Sequence, residues 1–259
     1  MTEQPGNSGA LQPLTGRRVL VTRAQTQAAG LAEALRALGA TVVLLPLAEH
    51  LPVEDPSALD AALANLPEWL AFTSANGVRF VADRLRALGR PVVTLATSRI
   101  AVVGSATAQA MAEHGLAANI IAEPATAAGL ADHLGRENPS AITIFQAADA
   151  RPLLADRLHA VGWRVNAVVA YRTRPLAVAA SDLDRIDAIT VASSATAERL
   201  VAALGKQLES LLASGCRCYA IGPETAATMT TLGLPVSAVA PVATAAALAW
   251  TVANDLARR

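Results

Sequence analysis

Leu70-Ala-Phe-Thr-Ser-Ala-Asn-Gly-Val78 and Ile189-Thr-Val-Ala-Ser-Ser-Ala-Thr196 are the stretches on which the fold turns. Each is a short apolar run that ends in hydroxyl residues and opens into an amphipathic helix, the pattern of a βα unit with a Ser or Thr helix cap. In the first, Val78, Val81, Leu85 and Leu88 share one helical face. Upstream, Val19-Leu-Val21 leads to a helix carrying Leu31, Leu35 and Leu38 and stopped at Gly39, and a strand over 42–45 then runs into Pro46. Downstream come Ile100-Ala-Val-Val103, the turn Gly104-Ser-Ala-Thr107 and a helix ending at His114-Gly115. Glycine just past the last helical residue is a common stop. Thr126 then precedes a short helix with Leu130 and Leu134.

The second half repeats this order. Ile142-Thr-Ile-Phe145 and a helix with Leu154, Leu158 and Val161, stopped at Gly162, mirror the first unit. Ile189 to Thr196 mirrors the Thr73-Ser74 unit. Tyr219-Ala-Ile221, Gly222-Pro-Glu-Thr225 and a helix ending at Leu232-Gly233 mirror the Gly104 unit, and Thr244-Ala-Ala-Ala-Leu248 mirrors Thr126-Ala-Ala-Gly-Leu130. Four paired units in one order define an internal duplication. The expected fold is α/β, two similar parallel-sheet βα domains. Long apolar-to-polar segments over 41–51 and 165–174 suit strands that cross between domains side by side, which makes the first domain discontinuous. The expected division is a disordered leader over 1–16, domain 1 over 17–46 plus 174–259, and an inserted domain 2 over 47–173, the two halves holding one small anionic molecule between them.

Bulk composition narrows the function. Hydrophobic residues are 53% and charged residues 16% of 259, enough for real cores and too apolar for extended disorder. A formal net charge of zero argues against nucleic acid or an anionic membrane as the main partner. Lys206 is the sole lysine, so every other basic residue is an arginine. The uncharged run over 225–254 is broken by Gly233, Pro235 and Pro241 and reads as a helix end, a strand and a new helix rather than a membrane span. Cys216 and Cys218 lie too close in one strand to pair and read as inert thiols, suiting a reducing cytoplasm; the polar N-terminus has no signal-peptide pattern.

Ligands of open parallel sheets bind outside the carboxyl ends of the strands. Those ends carry Thr22-Arg23, Thr73-Ser74, Gly104-Ser105, Gln146, Ser193-Ser194 and Gly222. Helix N-termini there offer free N–H groups and a favourable dipole to an anion, although each hydroxyl is equally an ordinary N-cap. The four histidines are scattered, and no metal-ligand spacing, Walker loop, nucleophile elbow or dinucleotide fingerprint occurs, so neither metal nor cofactor is expected. Tyr171, one of only two tyrosines, sits on a proposed crossing strand just before Arg172 and Arg174, where a phenol suits proton donation to a leaving oxygen as well as a domain-junction packing role.

Taken together, Phe72-Thr-Ser-Ala-Asn-Gly-Val78, Val102-Val-Gly-Ser-Ala-Thr107, Tyr171-Arg-Thr-Arg174 and Ala220-Ile-Gly-Pro-Glu-Thr-Ala226 with Gly233-Leu234 resemble the uroporphyrinogen-III synthase family, as do Val21-Thr-Arg23 and Thr244-x-x-x-Leu248. The resemblance runs from about Gly16 to the C-terminus. It implies two α/β domains joined by a two-stranded antiparallel ladder and a cytoplasmic, monomeric, cofactor-independent hydro-lyase of heme and porphyrin biosynthesis. The implied reaction cyclises hydroxymethylbilane to uroporphyrinogen III with inversion of the last ring through a spiro intermediate and loss of water. By the same resemblance Tyr171 assists departure of the hydroxyl, and Arg23, Thr73, Ser74, Gly104, Thr107, Gln146, Arg151, Ser193, Ser194, Gly222, Thr225 and Thr244 are substrate-binding positions. The chain departs from the family where Gln146-Ala147 replaces Arg-Gly, which removes a carboxylate contact, and where Ala24 replaces a proline. A non-catalytic tetrapyrrole or polyanion sensor is the alternative. A periplasmic binding protein also fits two domains, but not the N-terminal pattern.

Overall fold

The computed structural model describes residues 12–22, 25–176 and 183–258. In chain order the elements are β1 (Arg18–Val21), α1 (Gln25–Ala37), β2 (Thr41–Leu44), β3 (Ala48–Pro52), α2 (Ser57–Ala64), β4 (Trp69–Phe72), α3 (Ala75–Ala87), β5 (Arg99–Val102), α4 (Gly104–Ala112), β6 (Ile120–Ile121) and α5 (Ala127–Leu134). They continue with β7 (Ala141–Ala147), α6 (Leu153–Ala160), β8 (Arg164–Pro175), β9 (Ala188–Val191), α7 (Ser194–Leu204), α8 (Lys206–Ala213), β10 (Arg217–Ala220), α9 (Pro223–Thr231), β11 (Ala238–Val239) and α10 (Ala245–Leu256). Two compact units result. Unit 1 takes the described residues up to Glu49 and from Pro175 on; unit 2 is His50–Arg174.

Unit 1 is built on a sheet of order β11-β10-β9-β1-β2, whose four neighbouring pairs are all parallel. Unit 2 is built on the order β6-β5-β4-β7-β8-β3, with every pair from β6 to β8 parallel. The two orders coincide strand for strand, with β3 as an extra edge. The sequence repeats are therefore spatial equivalents, but each sheet draws on both. Unit 1 combines the first two strands of the first repeat with the last three of the second, and unit 2 does the reverse.

Both sheets are covered on two faces, as parallel sheets require. In β4, Leu70 and Phe72 join a core with Val78, Val81 and Leu85 of α3, while Trp69 and Ala71 face Leu130 and Leu134 of α5 and Leu158 of α6. In β1, Leu20 faces Leu200 of α7 and Met229 of α9, whereas Val19 and Val21 face Leu31 and Leu35 of α1 and Val252 of α10. This is period-two alternation with both faces apolar, which is why these strands read as unbroken hydrophobic runs. One ion pair recurs by symmetry. Arg99, opening β5, meets Glu137 at 2.9 Å, and Arg217, opening β10, meets Asp255 at 2.8 Å.

The structure corrects three details of the sequence reading. The strand expected over 41–51 is two strands, β2 and β3, separated at Leu45-Pro46-Leu47, because Pro46 has no N–H to give a ladder. Within the expected leader, Leu14 is packed: it is fully buried and its N–H donates to the Leu38 carbonyl at 2.9 Å. Residues 1–11 lie outside the described residues. Helices α2 and α8 had no counterpart in the sequence reading. Among the described residues no helix is long and apolar enough to cross a membrane.

Candidate active site

The most developed polar cluster belongs to unit 2 and is centred on Tyr171. The β7–β8 ladder is parallel and slips at Gln146/Ala147, so that Ala147 lies opposite Tyr171 and the Ala148 N–H donates to the Tyr171 carbonyl at 2.9 Å. This fixes the backbone beneath the phenol. The ring is 6% exposed, stacked on Phe80 of α3 at 5.3 Å between centroids and 10° between planes. The His50 ring of β3 meets it nearly perpendicular, at 5.4 Å and 88°. Its hydroxyl oxygen lies 3.0 Å from Ser74 Oγ. Ser74 is the N-cap of α3, extended at φ −161° and ψ 156°, and its Oγ accepts from the Gly77 N–H at 3.1 Å. The phenol thus adjoins the N-terminus of a 13-residue helix, where the dipole is positive.

Neither His50 nor Phe80 was singled out from the sequence, since both reach Tyr171 only through tertiary packing. Arg172 is placed differently from the sequence picture. Side chains alternate along a strand, and Arg172 is turned to the Pro52 carbonyl, at 3.3 Å, and to Glu54, at 3.1 Å. The His50 Nδ1 instead pairs with Thr173 Oγ1 at 3.3 Å, two residues on from the phenol.

The remaining sequence-derived residues of unit 2 surround the same strand ends. Thr73 Oγ1 and its N–H both point at the Phe145 carbonyl, at 3.5 and 3.4 Å. Gly104 begins α4 with φ +75°, and a Cβ there would lie 2.7 Å from the Ala125 Cβ, so glycine is demanded twice over. Thr107 is buried and its hydroxyl donates to the Val103 carbonyl at 2.8 Å, so in this conformation its proton is engaged by the backbone four residues back. Gln146 is half-buried at the ladder slip, and Arg151 is exposed on the turn before α6.

Unit 1 repeats the frame with different chemistry. Ser193 caps α7 as Ser74 caps α3, accepting from the Thr196 N–H at 3.1 Å, but its Oγ pairs with Thr196 Oγ1 at 2.8 Å where unit 2 has the phenol. Ser194 lies one residue inside the helix and accepts from Thr228 Oγ1 at 2.8 Å. Gly222 caps α9 with ordinary extended backbone, Thr225 is buried in the first turn, and Thr244 caps α10 by accepting from the Ala247 N–H at 3.2 Å, as Thr126 does from Gly129 at 2.8 Å. Arg23 lies outside the described residues.

Other titratable groups of unit 1 are structural. Tyr219 is fully buried and donates to Asp255 at 2.7 Å; burial first, and then that carboxylate, push its phenol above the ordinary value. Burial pushes the free thiols of Cys216 and Cys218 up to about 12. Among the described residues no group of three or more His, Cys, Asp or Glu side chains is arranged to hold a metal ion.

Two doubly covered parallel sheets of one topology, each with capped helix N-termini at its strand ends and one with a buried phenol among them, define a duplicated α/β protein of the doubly wound class. The family model described as uroporphyrinogen-III synthase HemD matches residues 29–249. The porphyrin biosynthesis protein HemD of Ruminiclostridium josui is 32% identical over 228 residues, 83% of this chain but only 44% of that protein, so this chain spans less than half its length. The uroporphyrinogen-III synthase of Synechococcus elongatus is 32% identical over 232 residues, 85% of this chain and 88% of that one. A crystal structure of mutant uroporphyrinogen III synthase from the extremely thermophilic bacterium Thermus thermophilus shares the fold, with a TM-score of 0.71 and 23% identity over 94% of this chain and 100% of that chain. The chain belongs to the uroporphyrinogen-III synthase family.

Proposed function

We propose that this protein cyclises hydroxymethylbilane to uroporphyrinogen III, with Tyr171 as the proton donor to the departing hydroxyl. The observation that carries the role of Tyr171 is its buried phenol, held 3.0 Å from the cap of α3. The pyrrole nitrogen lone pair expels the terminal hydroxyl, Tyr171 O–H protonates it, the C–O bond breaks and water leaves. The substituted α-carbon of the last ring attacks the exocyclic methylene of the resulting cation, forming the new C–C bond to the first ring. In the spiro intermediate so formed, the older bond from that carbon to the preceding methylene bridge breaks and the bridge re-bonds to the ring's unsubstituted α-carbon. Loss of that carbon's proton restores the phenol and leaves the macrocycle closed with the ring inverted. Atoms balance without a redox partner, metal or organic cofactor.

Because the ring nitrogen supplies most of the push, the protein's larger task is to fix the conformation in which the chain ends meet. The acetate and propionate arms suit main-chain N–H groups at helix N-termini such as those of α3 and α4, which open close behind the ends of β4 and β5. That arrangement lets a protein of zero formal net charge hold a polyanion. Arg151, exposed beside α6, adds a cation, and Arg23 is proposed as another. The enzyme is taken to act as a monomer in the cytoplasm, where two buried free thiols stay reduced.

Purified protein given hydroxymethylbilane is expected to yield the type III isomer, resolved by chromatography after oxidation to the porphyrin. Binding with only the spontaneous type I product would instead identify a non-catalytic sensor. Tyr171→Phe should lower kcat by about 10²-fold or somewhat less, with KM nearly constant, the low end of general-acid effects. An unchanged kcat removes Tyr171 from the chemistry.

A further inference from the structure

We propose that Ser74 is the hydrogen-bond donor to the Tyr171 phenol oxygen, a positioning residue that aims the phenol proton away from the cap and stabilises the oxygen once that proton has left. This deepens the reading of Tyr171 as proton donor and rests on it. It also gives Ser74 a different task from carboxylate binding.

The inference follows from counting lone pairs and protons. Ser74 Oγ has one proton and two lone pairs. One lone pair takes the Gly77 N–H at 3.1 Å, the capping bond of α3. Tyr171 O lies at 3.0 Å, so the contact is made by either the serine proton or the phenol proton. If the phenol donates to Ser74, its proton faces the cap and is spent. If Ser74 donates, the phenol proton can turn toward a ligand, and every atom of the cap keeps a partner. Once the phenol has given its proton away, only the second arrangement survives, and the contact becomes a charge-assisted bond. The interaction is therefore stronger after proton transfer than before it, the condition for raising kcat. Phe80 against the face and His50 against the edge restrict movement of the ring away from Oγ.

The second unit serves as an internal comparison. Ser193 has the same capping geometry, yet Thr196 stands where unit 2 has Gly77, and the Ser193 hydroxyl is bound to Thr196 Oγ1 at 2.8 Å. Gly77 has no side-chain hydroxyl with which to make that contact, and Ser74 Oγ is paired with Tyr171 instead.

The test uses Ser74→Gly, because glycine serves as an N-cap at a cost of only a few tenths of a kcal/mol relative to serine. Removal of Oγ should lower kcat about 10- to 100-fold with KM nearly unchanged and little change in Tm, and Ser74→Thr should restore most of the rate. Combined with Tyr171→Phe, Ser74→Gly should add no further loss, since the two groups act as one. Multiplicative losses, or a rise in KM with kcat unchanged, would overturn the proposal and return Ser74 to substrate binding. A second measurement needs no turnover. The tyrosine Fermi doublet in the ultraviolet resonance Raman spectrum separates a phenol that accepts a hydrogen bond from one that donates, and the chain has only two tyrosines, of which Tyr219 donates to Asp255. Ser74→Gly should shift the doublet ratio toward the non-accepting value; an unchanged ratio would show that Ser74 is no donor. If the wild type makes only the type I isomer, the functional reading fails, while the Raman result still decides the direction of this bond.

Discussion

Gly104→Ala and Gly222→Ala make the same chemical change at equivalent places in the two repeats, and the structure assigns them very different costs. At Gly104 an alanine must adopt φ +75°, which costs about 1–2 kcal/mol for an L-residue with a Cβ. Its methyl would sit 2.7 Å from the Ala125 Cβ, whereas carbons prefer about 3.5–4.0 Å, and overpacking of that order costs about 1–3 kcal/mol. The smaller entropy of the unfolded alanine chain returns about 0.4–1 kcal/mol. The net loss is about 2–4 kcal/mol, or roughly 30-fold to several hundred-fold in the unfolding equilibrium. Gly222 has φ −172°, and a Cβ there would lie 4.0 Å from the Ala243 Cβ, an ordinary contact. Its replacement should stay within about 1 kcal/mol, mostly a poorer helix cap. Urea titration followed by far-ultraviolet circular dichroism suits the comparison, because Gly104 and Gly222 lie in different units and the helices of both contribute to the signal. Equal losses for the two variants, or a Gly104→Ala cost below about 1 kcal/mol, would refute the claim that close approach and left-handed backbone fix this glycine.

Two further outcomes can be checked on the folded protein. Asp255→Ala deprives buried Tyr219 of its acceptor and Arg217 of its ion partner, and should cost about 2–3 kcal/mol in urea; Asp255→Asn, which keeps an acceptor, should cost less, and equal costs would show that the charge alone matters. Cys216 and Cys218, both held up at about 12, are protonated at neutral pH and should alkylate slowly until the protein is unfolded. Because their folded values exceed the ordinary 9.0, the stability they contribute is full below about pH 9 and is lost as pH rises toward 12, where the unfolded chain releases protons that the native one retains. Unfolding free energies that rise between pH 8 and about 10 would contradict this sign.

The class of fold was legible in the sequence because its signals are local. Four short apolar runs repeated in order, Ser74, Ser193, Thr126 and Thr244 before their helices, and Gly39 or Gly162 after theirs are each decided within a few residues. Helix α2 was hidden among Pro52, Pro56 and Pro67, although Leu59 and Leu63 have helical spacing. Helix α8 follows α7 across the single residue Gly205 and offers no separate strand to mark it. The surroundings of Tyr171 were out of reach for a different reason. Ser74 lies 97 positions away in sequence, and His50 and Phe80 approach from two further elements, so no spacing rule connects them. The adjacency of Arg172 and Tyr171 in sequence was misleading as a guide to the phenol's setting, because consecutive strand residues face opposite ways.

The exchange of strands between the repeats has a consequence for folding. A ribosome that has made only the first repeat has produced β1 and β2 without β9, and β4 without β7, so neither sheet owns its middle pair. The pairings β1–β2 and β4–β5–β6 are available early, but completion of both sheets waits for the second copy, which supplies the partners across each centre. Duplication here did not append one finished lobe to another. It supplied each lobe with the half it lacked.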